Sequence, residues 1–136
     1  MSIEQAIYSQ LSNHAPLSVL VSQRIYPDYD KTPEDTSESL LPFVVFTLNS
    51  EDEETDITGN FLWFKSTYVF ACVADDPDTK AAIATALKVA LRAMQGQYAG
   101  AFVEAAYLRN SADEPSEELH DVGLHVRTVE YEIWHA

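Results

Sequence analysis

The spacing of apolar residues changes several times along the chain, and each change marks an element. Ile3, Ala6, Ile7 and Leu11 recur at the three-and-four spacing of one helical face, with Ser2 placed as a cap and an end near Asn13-His14. Pro16 suits the first turn of a second, short helix through Leu17, Val19, Leu20 and Val21. Arg24-Ile25-Tyr26 reads as a short strand stopped by Pro27, which has no N–H to give to a ladder. Residues 28–39 carry Pro33, several acids and little apolar content apart from Tyr29, the pattern of a surface loop. Phe43 to Leu48 is a β-branched and aromatic run that predicts a strand with both faces partly covered. An acidic connection over 49–60 leads to a long strand from Phe61 to Ala74. There Leu62, Phe64, Tyr68, Phe70 and Cys72 share one parity, while Lys65 and Thr67 hold the other, partly wet face. The segments 43–49 and 61–74 together predict a long antiparallel hairpin.

The best-marked element is a helix over 77–95. Asp76 can cap it, Pro77 fits its first position, and Ile83, Leu87, Ala90, Leu91 and Met94 form one apolar stripe ahead of Gly96. Ala101 to Arg109 reads as a strand, and 113–118, with Pro115, as a third acidic connection. A last strand runs over 121–134, with one irregularity. Val122, Leu124 and Val126 share a parity that Val129, Tyr131 and Ile133 do not. Two readings fit: a one-residue bulge near Arg127-Thr128, or a strand that leaves the core to enter a subunit contact. The pattern as a whole predicts an α+β fold in one domain over 1–136, a mainly antiparallel sheet with the long helix and an N-terminal helix packed on it.

Charge sharpens this picture. Among 136 residues, 22 acidic side chains face 8 basic ones, a formal net charge of −14. Affinity for nucleic acid comes largely from Lys and Arg displacing counterions from phosphates, so this chain is expected to be repelled by DNA and by anionic membrane surfaces. No run approaches the roughly 18 apolar residues of a membrane span, and the start lacks a secretory signal, which leads to the expectation of a cytoplasmic setting. The lone Cys72 is in keeping with that compartment.

Catalytic patterns are not found. His14, His120, His125 and His135 have no zinc spacing, and His125 and His135 lie roughly 30 Å apart on an extended strand. Cys72 sits in an apolar strand, where an inert thiol is expected. The serines lack a nucleophile elbow, and the four glycines are too scattered to cradle a phosphate. The run Glu51, Asp52, Glu53, Glu54 and Asp56 invites a calcium reading but lacks the EF-hand ladder, and is read as a solvated loop at a hairpin tip. No enzyme activity, cofactor or metal is therefore expected. The aromatic side chains Trp63, Phe64, Tyr68, Phe70, Tyr131 and Trp134 exceed the needs of a thin two-layer core, so a minority are expected to face another subunit.

An opening helix, Leu17-Ser18-Val19-Leu20-Val21, Arg24-Ile25-Tyr26-Pro27, a polar loop and then Leu41-Pro42-Phe43-Val44-Val45-Phe46 resemble the start of the tail-completion proteins of tailed bacteriophages, the head–tail joining family. The Ala-rich helix from Ala81 to Ala93 and the ending at Tyr131-Glu132-Ile133-Trp134 are similar as well. The resemblance implies a virion structural protein that completes the tail as a ring, usually of six. Its partners would be itself, the tail tube protein and the head connector proteins; a tail terminator is the close alternative. It also implies a place at the head–tail interface of the virion, with the host cytoplasm as the site of assembly. On this reading Glu51, Asp52, Glu53, Glu54 and Asp56 form an acidic lumen or docking loop that lets DNA pass without sticking. Exposed edges of the 61–74 and 121–134 strands would join subunits through Val129, Tyr131, Ile133 and Trp134, and Val129→Lys or Ile133→Lys would block assembly more than folding. The rival reading from another class is an acidic DNA mimic that inhibits a DNA-binding protein; a small-molecule enzyme using scattered carboxylates is weaker.

Overall fold

A computed structural model describes residues 3–22, 24–27, 42–59, 61–98, 101–113 and 123–136. The expected cap at Ser2, the loop over 28–39, most of the connection over 113–118, and the positions of His120 and Val122 lie outside the described residues. The fold is α+β. Three helices, α1 (Ile3–Ser12), α2 (Ala15–Val21) and α3 (Pro77–Arg92), accompany strands β1 (Ile25–Tyr26), β2 (Phe43–Thr55), β3 (Phe61–Ala74), β4 (Gly96–Tyr98), β5 (Ala101–Asp113) and β6 (His125–His135). The strands make one sheet in the order β1-β2-β3-β6-β5-β4, parallel only where β1 meets β2.

The N-terminal cap of α3 acts as the sequence suggests. Asp76 accepts hydrogen bonds from the Thr79 backbone N–H at 2.7 Å and the Thr79 hydroxyl at 2.6 Å, satisfying a donor that the first turn leaves free. The α3 helix ends at Arg92, three residues short of the expected 95, and Gly96 opens β4 with φ +106°, a value that favours glycine. One face of the sheet receives all three helices. Ile7 and Leu11 of α1, Leu17 and Val21 of α2, and Ile83, Leu87 and Leu91 of α3 close over Phe46, Phe70, Val129, Tyr131 and Ile133 in one apolar cluster. Polar side chains tie the helices down: Gln10 donates to the Ala90 carbonyl at 2.8 Å, and the Tyr98 hydroxyl donates to Gln10 Oε1 at 2.9 Å.

Three expectations are corrected. The acidic run is not a loop: Glu51 to Glu54 lie on β2, which continues to Thr55, and only Asp56 falls in the turn. Tertiary pairing carries the strand past its apolar part, because Asp52, Glu53 and Glu54 lie opposite Lys65, Phe64 and Trp63. The final strand has no bulge near Arg127-Thr128, since it pairs with β3 residue for residue from His125 to His135. Its parity changes because it serves two clusters. Val126 joins Phe43 and Val73 in one row on the helix-free face, whereas Val129, Tyr131 and Ile133 point into the helix-covered core. Finally, β3 and β6 are not edges, because each is flanked by strands on both sides.

Candidate assembly surfaces

The sheet edges are β2 and β5, each capped over a short stretch. On β2, β1 pairs only with Val44 and Val45; on β5, β4 pairs only with Ala101 to Val103. Beyond these caps neither strand has an outer partner among the described residues. Leu48 to Glu53 of β2 and Tyr107 to Asn110 of β5 are exposed, as unpaired edges should be. A register shift falls in each exposed run, between Leu48 and Ser50 and between Leu108 and Asn110. Such bulges twist an edge and shorten any regular ladder formed on it.

Of the expected interface residues, Val129, Tyr131 and Ile133 are at most 2% exposed and belong to the core. A lysine there would bury a charge, so Val129→Lys or Ile133→Lys breaks the fold before it can report on assembly. Trp134, on the opposite parity, faces the helix-free side. Its ring stacks on Trp63 at 5.4 Å, meets Tyr107 edge-on at 5.8 Å, and lies under the Lys65 ammonium at 4.4 Å. Its indole N–H donates to Glu132 Oε1 at 2.6 Å, and Arg109 holds the same carboxylate at 2.8 Å. The Arg109 guanidinium keeps Glu132 below the usual carboxylate range. Trp63 Nε1 is buried with no hydrogen-bond partner among the described residues.

The expected acidic loop becomes a charged strand end. Glu51 and Glu53 take the helix-covered side, Asp52 and Glu54 the other, because successive side chains alternate. Glu54 is bridged to Lys65 at 3.0 Å. Asp56 turns the chain by accepting from the Thr58 N–H at 2.8 Å and its hydroxyl at 2.6 Å, and Ile57 beside it is fully exposed.

Two polar clusters were not legible in the sequence. Ser66 Oγ and His135 Nε2 meet at 2.7 Å, both buried, at the end of the helix-covered face. Burial holds the imidazole below its ordinary value, opposed by the Ala136 backbone and Glu51. A hydroxyl beside an imidazole suits nucleophilic catalysis, but Ser66 is 1% exposed, so the pair reads as mutual satisfaction of buried polar groups. At the other end, Asp113 bridges Arg127 at 2.8 Å and Lys80 at 3.0 Å. Those two cations, Arg127 foremost, bring its carboxyl down to about 2. Cys72 lies in the core, where burial pushes its thiol up to about 12. An apolar groove of about 470 Å³ runs between α2 and α3, lined by His14, Pro16, Leu20, Ala82, Thr85 and Val89. Among the described residues no group of three His, Cys, Asp or Glu side chains converges as metal ligands, and no helix is long and apolar enough to cross a membrane.

No protein-family model and no curated protein matches the sequence. The fold is shared with a chain of a solved structure described as the virion of a native gene transfer agent (GTA) particle. The TM-score is 0.72 at 18% identity, and the match covers 98% of this chain and 94% of that chain.

Proposed function

We propose that this chain is a structural subunit of a phage or phage-like virion, a single domain whose role is assembly and not catalysis. The observation that carries the reading is the likeness in fold to a virion component over 98% of the chain. The resemblance of the Arg24-Ile25-Tyr26-Pro27 and Pro42-Phe43-Val44-Val45 segments to tail-completion proteins refines it. The chain completes the tail at the head–tail interface as a ring around the DNA passage, six subunits being the number that the resemblance implies. Its neighbours are further copies of itself, the tail tube protein and the head connector proteins. It assembles in the host cytoplasm and stays in the virion.

The acidic strand end suits a wall past which DNA slides, since a carboxylate surface repels phosphates. It suits a DNA mimic less well: Glu51 and Glu53 point to the opposite side of the sheet from Asp52 and Glu54, so β2 does not carry its four carboxylates in one phosphate-like row.

Native mass and negative-stain imaging across protein and salt concentration test the reading. Repulsion between subunits of net charge −14 weakens as the screening length falls from about 10 Å at 0.1 M to about 3 Å at 1 M salt. Rings that grow with salt and concentration are expected. A monomer under every condition, with tight salt-sensitive binding to a basic DNA-binding protein, would replace this reading with the mimic.

A further inference from the structure

The two edges left open among the described residues match each other in level, polarity and side chains. Following the register across the sheet, Leu48 of β2 lies opposite Tyr68 of β3, Tyr68 opposite Tyr131 of β6, and Tyr131 opposite Leu108 of β5. One row thus crosses four strands from edge to edge and ends in a leucine on each side, 41% exposed at Leu48 and 46% at Leu108. Both leucines stand on the helix-covered side of the sheet yet lie outside its core. The neighbouring rows behave alike: Phe46 and Ser111 end one, Ser50 and Tyr107 another, Asp52 and Ala105 a third. The uncapped parts of β2 and β5 therefore overlap at the same height, although β1 and β4 cap opposite ends of the sheet.

Three antiparallel steps separate β2 from β5, so the two edges run in opposite directions. A second copy rotated about an axis along the strands would set its β5 antiparallel to this β2 with no vertical slip. We propose that β5 of one copy adds to β2 of the next as an antiparallel strand, with Leu108 packed on Leu48 across the seam. The contact is head-to-tail, the type that closes into a ring when its rotation divides a full turn. Charge permits it over the central rows: Glu51 and Asp52 share theirs with Ala106 and Ala105, and Glu104, at the bulge between Val103 and Ala105, lies beyond them toward the end that β4 caps. The bulges beside both leucines limit the seam to short runs, which favours a defined contact over open stacking. The seam rests on the ring reading above and specifies the surface that makes the ring.

Cysteine pairing tests it. Opposed strand residues have Cα atoms about 4.5–5.5 Å apart, within the span of a disulfide. Leu48→Cys and Leu108→Cys alter exposed side chains, and the native Cys72 is buried and inert to mild oxidation. Each variant alone should remain monomeric on a non-reducing gel. Their mixture should give a cross-linked dimer, and the double variant a ladder with near-complete loss of the monomer band. Leu108→Asp, which sets a carboxylate near the neighbour's Glu51, should reduce ring formation while leaving thermal unfolding of the monomer unchanged. Rings by native mass without cross-linking, and with Leu108→Asp still assembling, would overturn the seam and leave the ring reading standing. Leu48→Cys that dimerises alone as well as in the mixture would also overturn it, because the contact would then be two-fold. A monomer at all concentrations overturns both.

Discussion

The helix-covered face of the sheet and the helix-free face share β2, β3, β5 and β6, yet different forces organise them. On the covered side Phe46, Phe70, Val129, Tyr131 and Ile133 lie under three helices and are at most 2% exposed. On the other side a small apolar group at one end, with Tyr26 edge-on to Phe43 at 5.9 Å, gives way to stacked indoles, Lys65 and the Arg109–Glu132 pair. The covered face is held mainly by removal of apolar area from water. The free face is held by aromatic geometry and ion pairs that remain partly wet, and those are worth less per contact. A face of the second kind can afford to meet another subunit, because losing one of its contacts does not unfold the chain.

The sharpest break in that comparison comes from paired truncations. Ile133→Ala, in the core, should cost about 2–5 kcal/mol in urea unfolding, while Tyr107→Ala, half-exposed on the helix-free face with its edge contact to Trp134, should cost about 0.5–1.5 kcal/mol. Equal losses would mean that the two environments do not differ as described. Trp134→Ala comes next. It removes the stack on Trp63, the edge contact with Tyr107 and the Lys65 cation–π contact, for an expected loss of about 1–2 kcal/mol. The near-ultraviolet circular dichroism of the stacked indoles should disappear with it; an unchanged spectrum would show that the stack does not persist in solution.

The smallest effect is a pH dependence. Because burial lowers the His135 value, the folded chain resists a proton that the unfolded chain accepts below about 6.5. Stability should therefore be insensitive to this group above that pH and decline as pH falls through it. His135→Gln should flatten the slope between about pH 7 and 5; an identical slope in the variant would remove His135 from the account. Asp113 acts lower down. Its carboxyl, held at about 2, contributes above the ordinary carboxylate range and loses that contribution as pH falls toward 2.

Local chemistry made much of the fold legible in the chain. The Asp76-Pro77 start of α3, the stripe from Ile83 to Leu91, and the alternation through Tyr68, Phe70 and Cys72 each carry their signal within a few residues. The assembly surface was less legible. The strands over 61–74 and 121–134 were expected to offer exposed edges, but which strands are central depends on pairing between segments far apart. The interior position of β6 turned Val129, Tyr131 and Ile133 from interface candidates into core. The acids of 51–54 read as loop because strand propensity there is poor; pairing with Trp63, Phe64 and Lys65 overrode it.

What the sequence determined by itself was the α+β class, the helices and the Asp76 cap of α3, the hairpin of β2 and β3, and the acidic excess. All of these follow from periodicity, capping chemistry and side-chain charge, which act over one or two turns or one strand. Tertiary structure alone decided the strand order, and so which edges stay open and that Leu48 and Leu108 end the same row. It alone brought Ser66 to His135 and Lys80 and Arg127 to Asp113. Those facts depend on long-range register, and a change of one residue in register would send every side chain of a strand to the other face.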